Sequence, residues 1–217
     1  MMRGARLLLL LVPLALPAQG VTRAGGWKVT FEKSGVPDSA MLIAAATPGW
    51  RFSSNAGAPG AIVYLPSLTA GRTFRVAAEV VLAGGEGTAG VGLVIAARAL
   101  ETAAPRYVAF IVFPDGRFSV IRLAGSQRES LVIPTADAAI TKHPGGPASG
   151  TASVAHTLVL EGDERTVTFR VNGARVAQLP RAVVDPGGGV GLRIEPGASV
   201  RLMLLRLDGR AVLPSAP

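Results

Sequence analysis

The chain has 217 residues, enough for one domain or at most two small ones, and its formal net charge is +8. It contains no Cys and only two His, which excludes disulfide scaffolds, thiol catalysis, iron–sulfur clusters and His-rich metal sites. The hydrophobic content of 49% excludes a wholly disordered chain.

Residues 1–20 have the features of a secretory signal peptide. Arg3 and Arg6 give a basic start, an apolar stretch runs from Leu7 to Pro17, and Ala18-Gln19-Gly20 offers small residues at a cleavage site. The apolar stretch is too short for a bilayer-spanning helix, which needs about 20 residues. We therefore predict a cleaved signal peptide, no transmembrane span in the mature chain, and a periplasmic or extracellular location. A retained membrane anchor is the alternative.

The basic residues are dispersed along the chain. Of the 22 Lys and Arg residues, 19 are Arg, and no two of them are neighbours in sequence. Nucleic-acid-binding proteins usually cluster their basic residues, so we predict no nucleic-acid partner. An anionic polymer of the cell envelope remains open as an electrostatic partner.

Beyond residue 20 the dominant pattern is an alternation of apolar and polar residues with period two, which indicates β-strands. The residues from Phe74 to Leu82 alternate in this way, and Tyr107–Phe113 is apolar on both faces, as in a covered central strand. Trp50 and Phe52 lie two residues apart, so in a strand their side chains point to the same face, and we predict that both are core residues. Later strands are predicted over Phe118–Leu123, Val154–Leu160, Thr166–Val171, Ala174–Leu179, Val190–Ile194 and Val200–Leu207.

Turn signals separate these strands. Asp115-Gly116 and Asn172-Gly173 are two-residue hairpin signals, and the turn of Glu161-Gly162-Asp163-Glu164 joins two further strands. This spacing predicts one antiparallel all-β sandwich or barrel over residues 21–211. A long surface loop is predicted over 134–153, and a frayed tail over 212–217.

The segment His156–Leu179, followed by Gly188–Ile194 and a last apolar strand, carries a recognisable pattern. It resembles the concanavalin A-like, laminin-G-type jelly roll, in which an Asn-Gly hairpin precedes a Gly-x-Gly-Leu strand. Trp27–Val29 and Gly90–Val94 are compatible with its first half. The resemblance implies a two-sheet jelly-roll sandwich, and among its members the chain is similar to secreted bacterial 3-keto-disaccharide hydrolases. At Thr88–Val91, however, the Asn-Ser-Gly-Ile motif of those enzymes is replaced by Thr-Ala-Gly-Val.

No complete catalytic set emerges from the motifs. Glu161-Gly162-Asp163 begins like the carboxylate motif of laminarinase-like enzymes, but Arg165 and Thr166 follow where the second Glu is needed, so we interpret it as a hairpin. His143 lies in the predicted loop, and His156 shares parity with Leu158, so we interpret His156 as a structural residue. The glycine run at 187–191 precedes a strand rather than a helix, which disfavours a phosphate loop.

No metal pattern is evident either. We predict no cofactor. Calcium, which binds to related jelly rolls, stays open as an alternative, but the six Asp residues stand singly at turns, so no calcium motif supports it.

The remaining function class is binding. If one face of the front sheet is open, we expect it to present a set of Arg and Glu residues, with Tyr107 or Phe110 as a stacking surface, because Arg–carboxylate pairs bind sugar hydroxyls. The predicted ligand-binding residues are Arg75, Glu79, Arg98, Tyr107, Arg193 and Glu195. An ordinary polar sheet face is the alternative for each of them.

We therefore predict a non-catalytic binding or structural module of the cell envelope, with a glycan or an anionic envelope polymer as its partner. Two alternatives stay open: a sugar-active hydrolase in which Glu79 and a nearby Arg act, and a structural domain that binds a protein through a strand edge.

Overall fold

A computed structural model describes residues 24–83, 89–144 and 153–213. These residues form fifteen β-strands and one short α-helix, with turns of 3-10 helix at Ala24–Gly26 and Asp38–Ala40. In chain order the elements are β1 (Lys28–Phe31), β2 (Met41–Ala45), β3 (Trp50–Ser54), β4 (Ala61–Ala70), β5 (Phe74–Ala83), β6 (Val91–Arg98), β7 (Arg106–Val112), β8 (Arg117–Ala124), β9 (Gln127–Ala136), β10 (Ser153–Gly162), β11 (Thr166–Val171), β12 (Ala174–Pro180), α1 (Arg181–Val184), β13 (Gly188–Ile194), β14 (Ser199–Leu207) and β15 (Arg210–Ala211). The predicted signal peptide lies outside the described residues.

The strands form two sheets. Sheet A has the order β1-β4-β13-β6-β7-β8-β9, and sheet B has the order β12-β11-β10-β5-β14-β3-β2, with β15 paired to β14. The strand pairs in both sheets are antiparallel. The predicted antiparallel sandwich is therefore confirmed. Within the described residues, no helix has the length and apolar character needed to cross a bilayer.

The alternation of side chains along each strand supplies the core between the sheets. In β5, Phe74, Val76 and Val80 are buried, whereas Arg75 and Glu79 are exposed. His156 is buried on β10 with the same parity as the core residues Leu158 and Leu160, which confirms that it is not a surface residue.

Aromatic side chains join the two sheets at two places in this core. Trp27, just before β1 of sheet A, makes edge-to-face contact with Phe52 of β3 in sheet B, at 5.2 Å between ring centroids. Elsewhere, Phe110 of sheet A packs edge-to-face against Phe169 of sheet B at 5.4 Å. Trp50 and Phe52 are fully buried, as their shared parity predicts.

The predicted hairpins form where the turn residues indicated. Asn172 and Gly173 have φ angles of 50° and 87°, so both central residues of the β11–β12 turn adopt the left-handed conformation that an Asn-Gly pair favours. The β10–β11 turn is fixed by Asp163, whose carboxylate accepts hydrogen bonds from the backbone N–H groups of Arg165 and Thr166, both at 2.7 Å. The interpretation of this acidic turn as a hairpin is confirmed.

The structure departs from the sequence prediction at an edge. β9 is one of the two edge strands of sheet A and is mostly exposed, so no apolar alternation marks it in the sequence. Because β9 continues to Ala136, the loop predicted over 134–153 begins inside a strand, and residues 145–152 lie outside the described part. The tail also differs: Val212 donates its N–H to the C=O of Leu205 at 2.9 Å and packs against the core with Leu213, so fraying does not begin at Val212.

Sheet A has apolar residues on both faces. Val108 and Phe110 of β7 face the core between the sheets, whereas Tyr107, Ala109 and Ile111 belong to a second buried apolar cluster on the outer face. This confirms the prediction that β7 is a covered central strand. It also means that a polar side chain on the outer face of sheet A is placed among apolar neighbours.

Candidate functional site

A buried ionic network lies on the outer face of sheet A, around Arg193. The strand β13 runs between β4 and β6, so an outward side chain of β13 stands in the middle of the sheet, and Arg193 has no exposed surface. Its Nε donates to Glu195 Oε1 at 2.8 Å, and its Nη2 donates to Glu32 Oε2 at 3.0 Å. Glu32 follows β1, 161 positions earlier in the chain.

Tyr107 completes this network. Its hydroxyl donates to Glu32 and accepts a hydrogen bond from Nη1 of Arg193. Gly60 leaves the space for the guanidinium, because a Cβ at Gly60 would lie 2.4 Å from Nη2 of Arg193. We refer to Glu32, Tyr107, Arg193 and Glu195 as the buried network.

The electrostatics of the buried network keep Glu32 and Arg193 ionised. Burial by itself raises the pKa of Glu32, but the hydrogen bonds and charge of Arg193, with the hydrogen bond from Tyr107, outweigh it, so the pKa of Glu32 lies below its usual value of 4.5. Burial lowers the pKa of Arg193, but Glu32 and Glu195 more than reverse this. Burial also raises the pKa of Tyr107, which therefore remains a neutral hydrogen-bond donor.

A second polar group lies on β1 and β4 of the same sheet. The hydroxyl of Tyr64 donates to Glu101 Oε1 at 3.0 Å, and Lys28, the register partner of Tyr64, donates to the same oxygen at 2.5 Å. Burial and the carboxylate of Glu101 raise the pKa of Tyr64 to about 12, so this hydroxyl too is a donor rather than a base.

A cleft with a volume of about 650 Å³ lies beside these groups, at the ends of β6, β7 and β8. We call it the arginine cleft. The polar side chains that matter for its chemistry are Arg98, Arg106, Arg122, Gln127, Glu129 and Asp185. Tyr107 also lines the cleft, so the buried network and the cleft share one residue.

The helix α1 forms one wall of the arginine cleft. Its C-cap Asp185 has a left-handed backbone and accepts a hydrogen bond from Arg98 Nη1 at 2.8 Å. Arg122 donates from Nη1 to the carbonyl of Val183 at 3.0 Å and from Nε to Glu129 Oε2 at 3.0 Å. Two arginines of sheet A therefore tie the helix to the cleft, and both cleft carboxylates are bound by an arginine.

The six residues predicted to bind a ligand do not share one face. Tyr107, Arg193 and Glu195 lie together in the buried network, but Arg193 is fully buried and Tyr107 is only 2% exposed, so neither offers an open contact surface. Arg98 lines the arginine cleft. The expectation of a single open face is therefore wrong for the set as a whole.

Arg75 and Glu79 lie on the other sheet. Both belong to β5, and their side chains line a depression of about 180 Å³ on sheet B together with Thr157 and Arg206. Arg75 also forms a salt bridge with Glu161 of β10. Phe110, predicted as an alternative stacking surface, is a core residue instead.

Sequence reasoning missed the residues that complete both sites. Glu32 joins the buried network only through the fold, because its partner is distant in sequence and no local pattern links them. Arg106 and Arg122 could have been grouped from the sequence. They lie on the two strands of the Asp115-Gly116 hairpin, at positions whose side chains leave the sheet on the same face, so the pairing of these strands places them near each other.

Comparison with known proteins shows what the fold is similar to. No protein-family profile and no curated protein matches the sequence. Among solved structures, the carbohydrate-binding module CBM66 from Bacillus subtilis matches with a TM-score of 0.58 and 12% identity, over 83% of this chain and 94% of that one. A protein of unknown function with a galectin-like fold, also from Bacillus subtilis, matches with a TM-score of 0.56 and 13% identity, over 86% and 90%.

A glycoside hydrolase family 16 endo-glucanase from Bacteroides ovatus matches with a TM-score of 0.57 and 7% identity, over 85% of this chain and 95% of that one. The fold is a concanavalin A-like jelly roll. Because the identities are low, the likeness establishes the jelly roll and leaves the function to be argued from the residues.

Among the residues that the structure describes, no three His, Asp or Glu side chains gather into a group able to hold a metal ion.

Proposed function

We propose that this jelly roll is a non-catalytic carbohydrate-binding module that takes a saccharide in the arginine cleft. The observation that carries the proposal is the lining of the cleft: planar guanidinium, carboxylate and amide groups surround a hollow large enough for a few sugar units. Paired Arg and carboxylate groups suit vicinal hydroxyls, because each hydroxyl both donates and accepts hydrogen bonds.

The state of the carboxylates supports binding rather than hydrolysis. A glycosidase needs two carboxyl groups, one to protonate the leaving oxygen and one as nucleophile or base. In the arginine cleft, Glu129 is bound by Arg122 and Asp185 is bound by Arg98, so each carboxylate already has a cationic partner.

The similarity of the fold to a carbohydrate-binding module and to an endo-glucanase is consistent with a carbohydrate-related role. With the predicted signal peptide, we propose that the chain acts outside the cytoplasm, where glycans are accessible.

The test is a glycan array with the full chain, read in low and in high salt, and with a variant that fills the cleft. Ala124 is exposed and lines the cleft, so Ala124→Trp should reduce binding at least tenfold. Ala174, exposed at the start of β12 and absent from the lining, provides the control Ala174→Trp, which should bind like the parent chain. Equal binding by both variants would place the ligand elsewhere and overturn the proposal.

Each of the two alternative functions predicts a different experimental outcome. Release of sugar products, lost in Glu79→Gln, would assign a hydrolase to the depression on sheet B that Glu79 lines with Arg75 and Arg206. A stable protein partner without any glycan affinity would assign a structural role, for which the exposed edge strand β9 offers a surface.

A further inference from the structure

Three arginines stand next to one another across neighbouring strands at the arginine cleft. Arg98 of β6 is the register partner of Arg106 of β7, so their side chains leave the sheet on the same face. Arg106 is paired with Ala124 of β8, and Arg122 lies two residues from Ala124, which makes it the diagonal neighbour of Arg106. Like charges directly opposite each other destabilise a sheet unless a negative charge separates them.

The outer two arginines of this row have such a charge, and the middle one does not. Arg98 binds Asp185 at 2.8 Å, and Arg122 binds Glu129. No carboxylate among residues 24–83, 89–144 and 153–213 lies within salt-bridge distance of Arg106. Arg106 is exposed to solvent in the cleft, between two neighbours that are already neutralised.

The lining of the cleft as a whole also carries more positive than negative charge. It holds four arginines, including Arg128, against two carboxylates, and Glu32 of the buried network interacts with Arg128, so the charge of Arg106 is left in excess. A neutral sugar leaves this excess unbalanced, whereas a saccharide with a carboxylate or sulfate group compensates it. Guanidinium groups bind both kinds of anion through two parallel hydrogen bonds.

We infer that the ligand of the arginine cleft is an acidic saccharide and that Arg106 binds its carboxylate or sulfate group. The inference rests on the proposed function, since it names the class of saccharide for the same cleft. The paired arginines at 98 and 122, with Gln127, are then left to bind the hydroxyl groups on either side of the anion.

The experiment compares matched acidic and neutral polymers by isothermal titration calorimetry with the full chain in 0.5 M NaCl. Polygalacturonic acid and its fully methyl-esterified form test the carboxylate, and dextran sulfate and dextran test the sulfate. Salt at this concentration screens the general attraction between the +8 chain and any polyanion. We expect one acidic polymer to bind at least tenfold more tightly than its neutral counterpart.

Variants assign this preference to Arg106. Arg106→Ala should lower the affinity for the acidic polymer about tenfold or more, and Arg106→Lys should lower it by less, because lysine keeps the charge but loses the second hydrogen bond. Arg210→Ala is the matched control, since Arg210 is an exposed arginine of β15 that does not line the cleft. Circular dichroism of each variant shows that the fold is retained.

Each contrary outcome has one meaning. Equal losses in Arg106→Ala and Arg210→Ala would show attraction to net charge alone and overturn the inference. Equal binding of acidic and neutral polymers, abolished by Ala124→Trp, would overturn the acidic ligand and leave the proposed function standing. Absence of binding to every polymer and to the glycan array would overturn both.

Discussion

Arg193 is the residue on which the outer face of sheet A depends, because it forms salt bridges with two partly buried carboxylates. Replacement by Met in Arg193→Met leaves Glu32 and Glu195 without their cation and removes a hydrogen bond to Tyr107. Losing one partner of a buried ion pair costs about 3–5 kcal/mol, and we expect a loss of that size in the free energy of unfolding, measured by urea denaturation.

The control for this variant is Arg75→Met, which removes an arginine from a pair with Glu161 in which the Arg75 side chain is 54% exposed. Exposed pairs contribute about 1 kcal/mol or less, so this variant should stay close to the parent chain. A loss in Arg193→Met as small as that in Arg75→Met would show that the buried network stabilises the fold no more than an exposed pair does.

Acid should weaken the buried network from a predictable pH. The pKa of Glu32 is lowered below 4.5 in the folded chain, so the stability it contributes is present above pH 4.5 and is lost as the pH falls through the folded-state value. In Arg193→Met the main cause of this lowering is gone. The acid-induced loss of stability below pH 4.5, followed by urea denaturation, should therefore be smaller in the variant than in the parent chain.

His156 predicts a separate dependence at higher pH. The side-chain amide of Asn172 accepts from the N–H of Thr157 and donates to the carbonyl of Ala139, so its nitrogen faces Nδ1 of His156 at 3.3 Å as a donor. Nδ1 must therefore accept, as a neutral imidazole does, and burial lowers the pKa of His156 below 6.5.

The sign of the effect follows from this lowered pKa. Above pH 6.5 the imidazole of His156 is neutral in the folded and the unfolded chain, but below it the unfolded chain takes up a proton that the folded chain resists. The free energy of unfolding should fall between pH 7 and pH 5, and this slope should be reduced in His156→Gln. An unchanged slope in the variant would assign the effect to another group.

The residues of the candidate site were only partly accessible from the sequence, for a physical reason. Strand parity places Tyr107, Arg193 and Glu195 on outward positions, but it does not show that the outer face of sheet A is itself buried. The pairing of strands decides that, and it brings Glu32 to Arg193 from the far end of the chain. Arg75 and Glu79 have the right alternation but belong to sheet B, since alternation does not indicate which sheet a strand joins.

At the scale of elements, the central strands of sheet A approach one another closely at glycine. A Cβ at Gly92 of β6 would lie 2.3 Å from the carbonyl oxygen of Phe110 in β7, so the backbone itself would have to move. Gly92→Ala should therefore destabilise the chain by about 1–3 kcal/mol, as overpacking does in a well-filled core. Thermal unfolding followed by circular dichroism measures the change.

Gly57→Ala is the matched control for the close approach of β6 and β7. A Cβ at Gly57 meets no atom within 4 Å, and its φ lies outside the left-handed region, so the melting temperature should be nearly unchanged. If the two alanine variants had the same melting temperature, the close contact between β6 and β7 would not limit the stability of the chain.

Strands with a buried face could be predicted from the sequence, whereas exposed or very short elements could not. Strands such as β5 and β11, each with one face in the core, show their alternation in the sequence and were predicted. No residue of β9 is buried, so the strand has no apolar face and its sequence shows no alternation. The four residues of α1 are too few to establish a helical period.

At the scale of the whole molecule, one continuous core links the two sheets. The aromatic contacts of Trp27, Trp50 and Phe52, and those of Phe110, Phe118 and Phe169, belong to the same buried cluster. The chain has only two Trp residues, and both lie in the first of these groups. Tryptophan fluorescence therefore reports one region of the sandwich, whereas far-ultraviolet circular dichroism reports the strands of both sheets.

This arrangement predicts cooperative unfolding of the two sheets. Phe169→Leu removes part of the contact with Phe110, away from both tryptophans, and should cost about 1–3 kcal/mol. If the core is one unit, the urea midpoint must fall equally when it is followed by tryptophan fluorescence and by circular dichroism, because the perturbation spreads to all of the structure. A midpoint that falls by circular dichroism while the fluorescence transition stays in place would show that the sandwich consists of two independently unfolding regions.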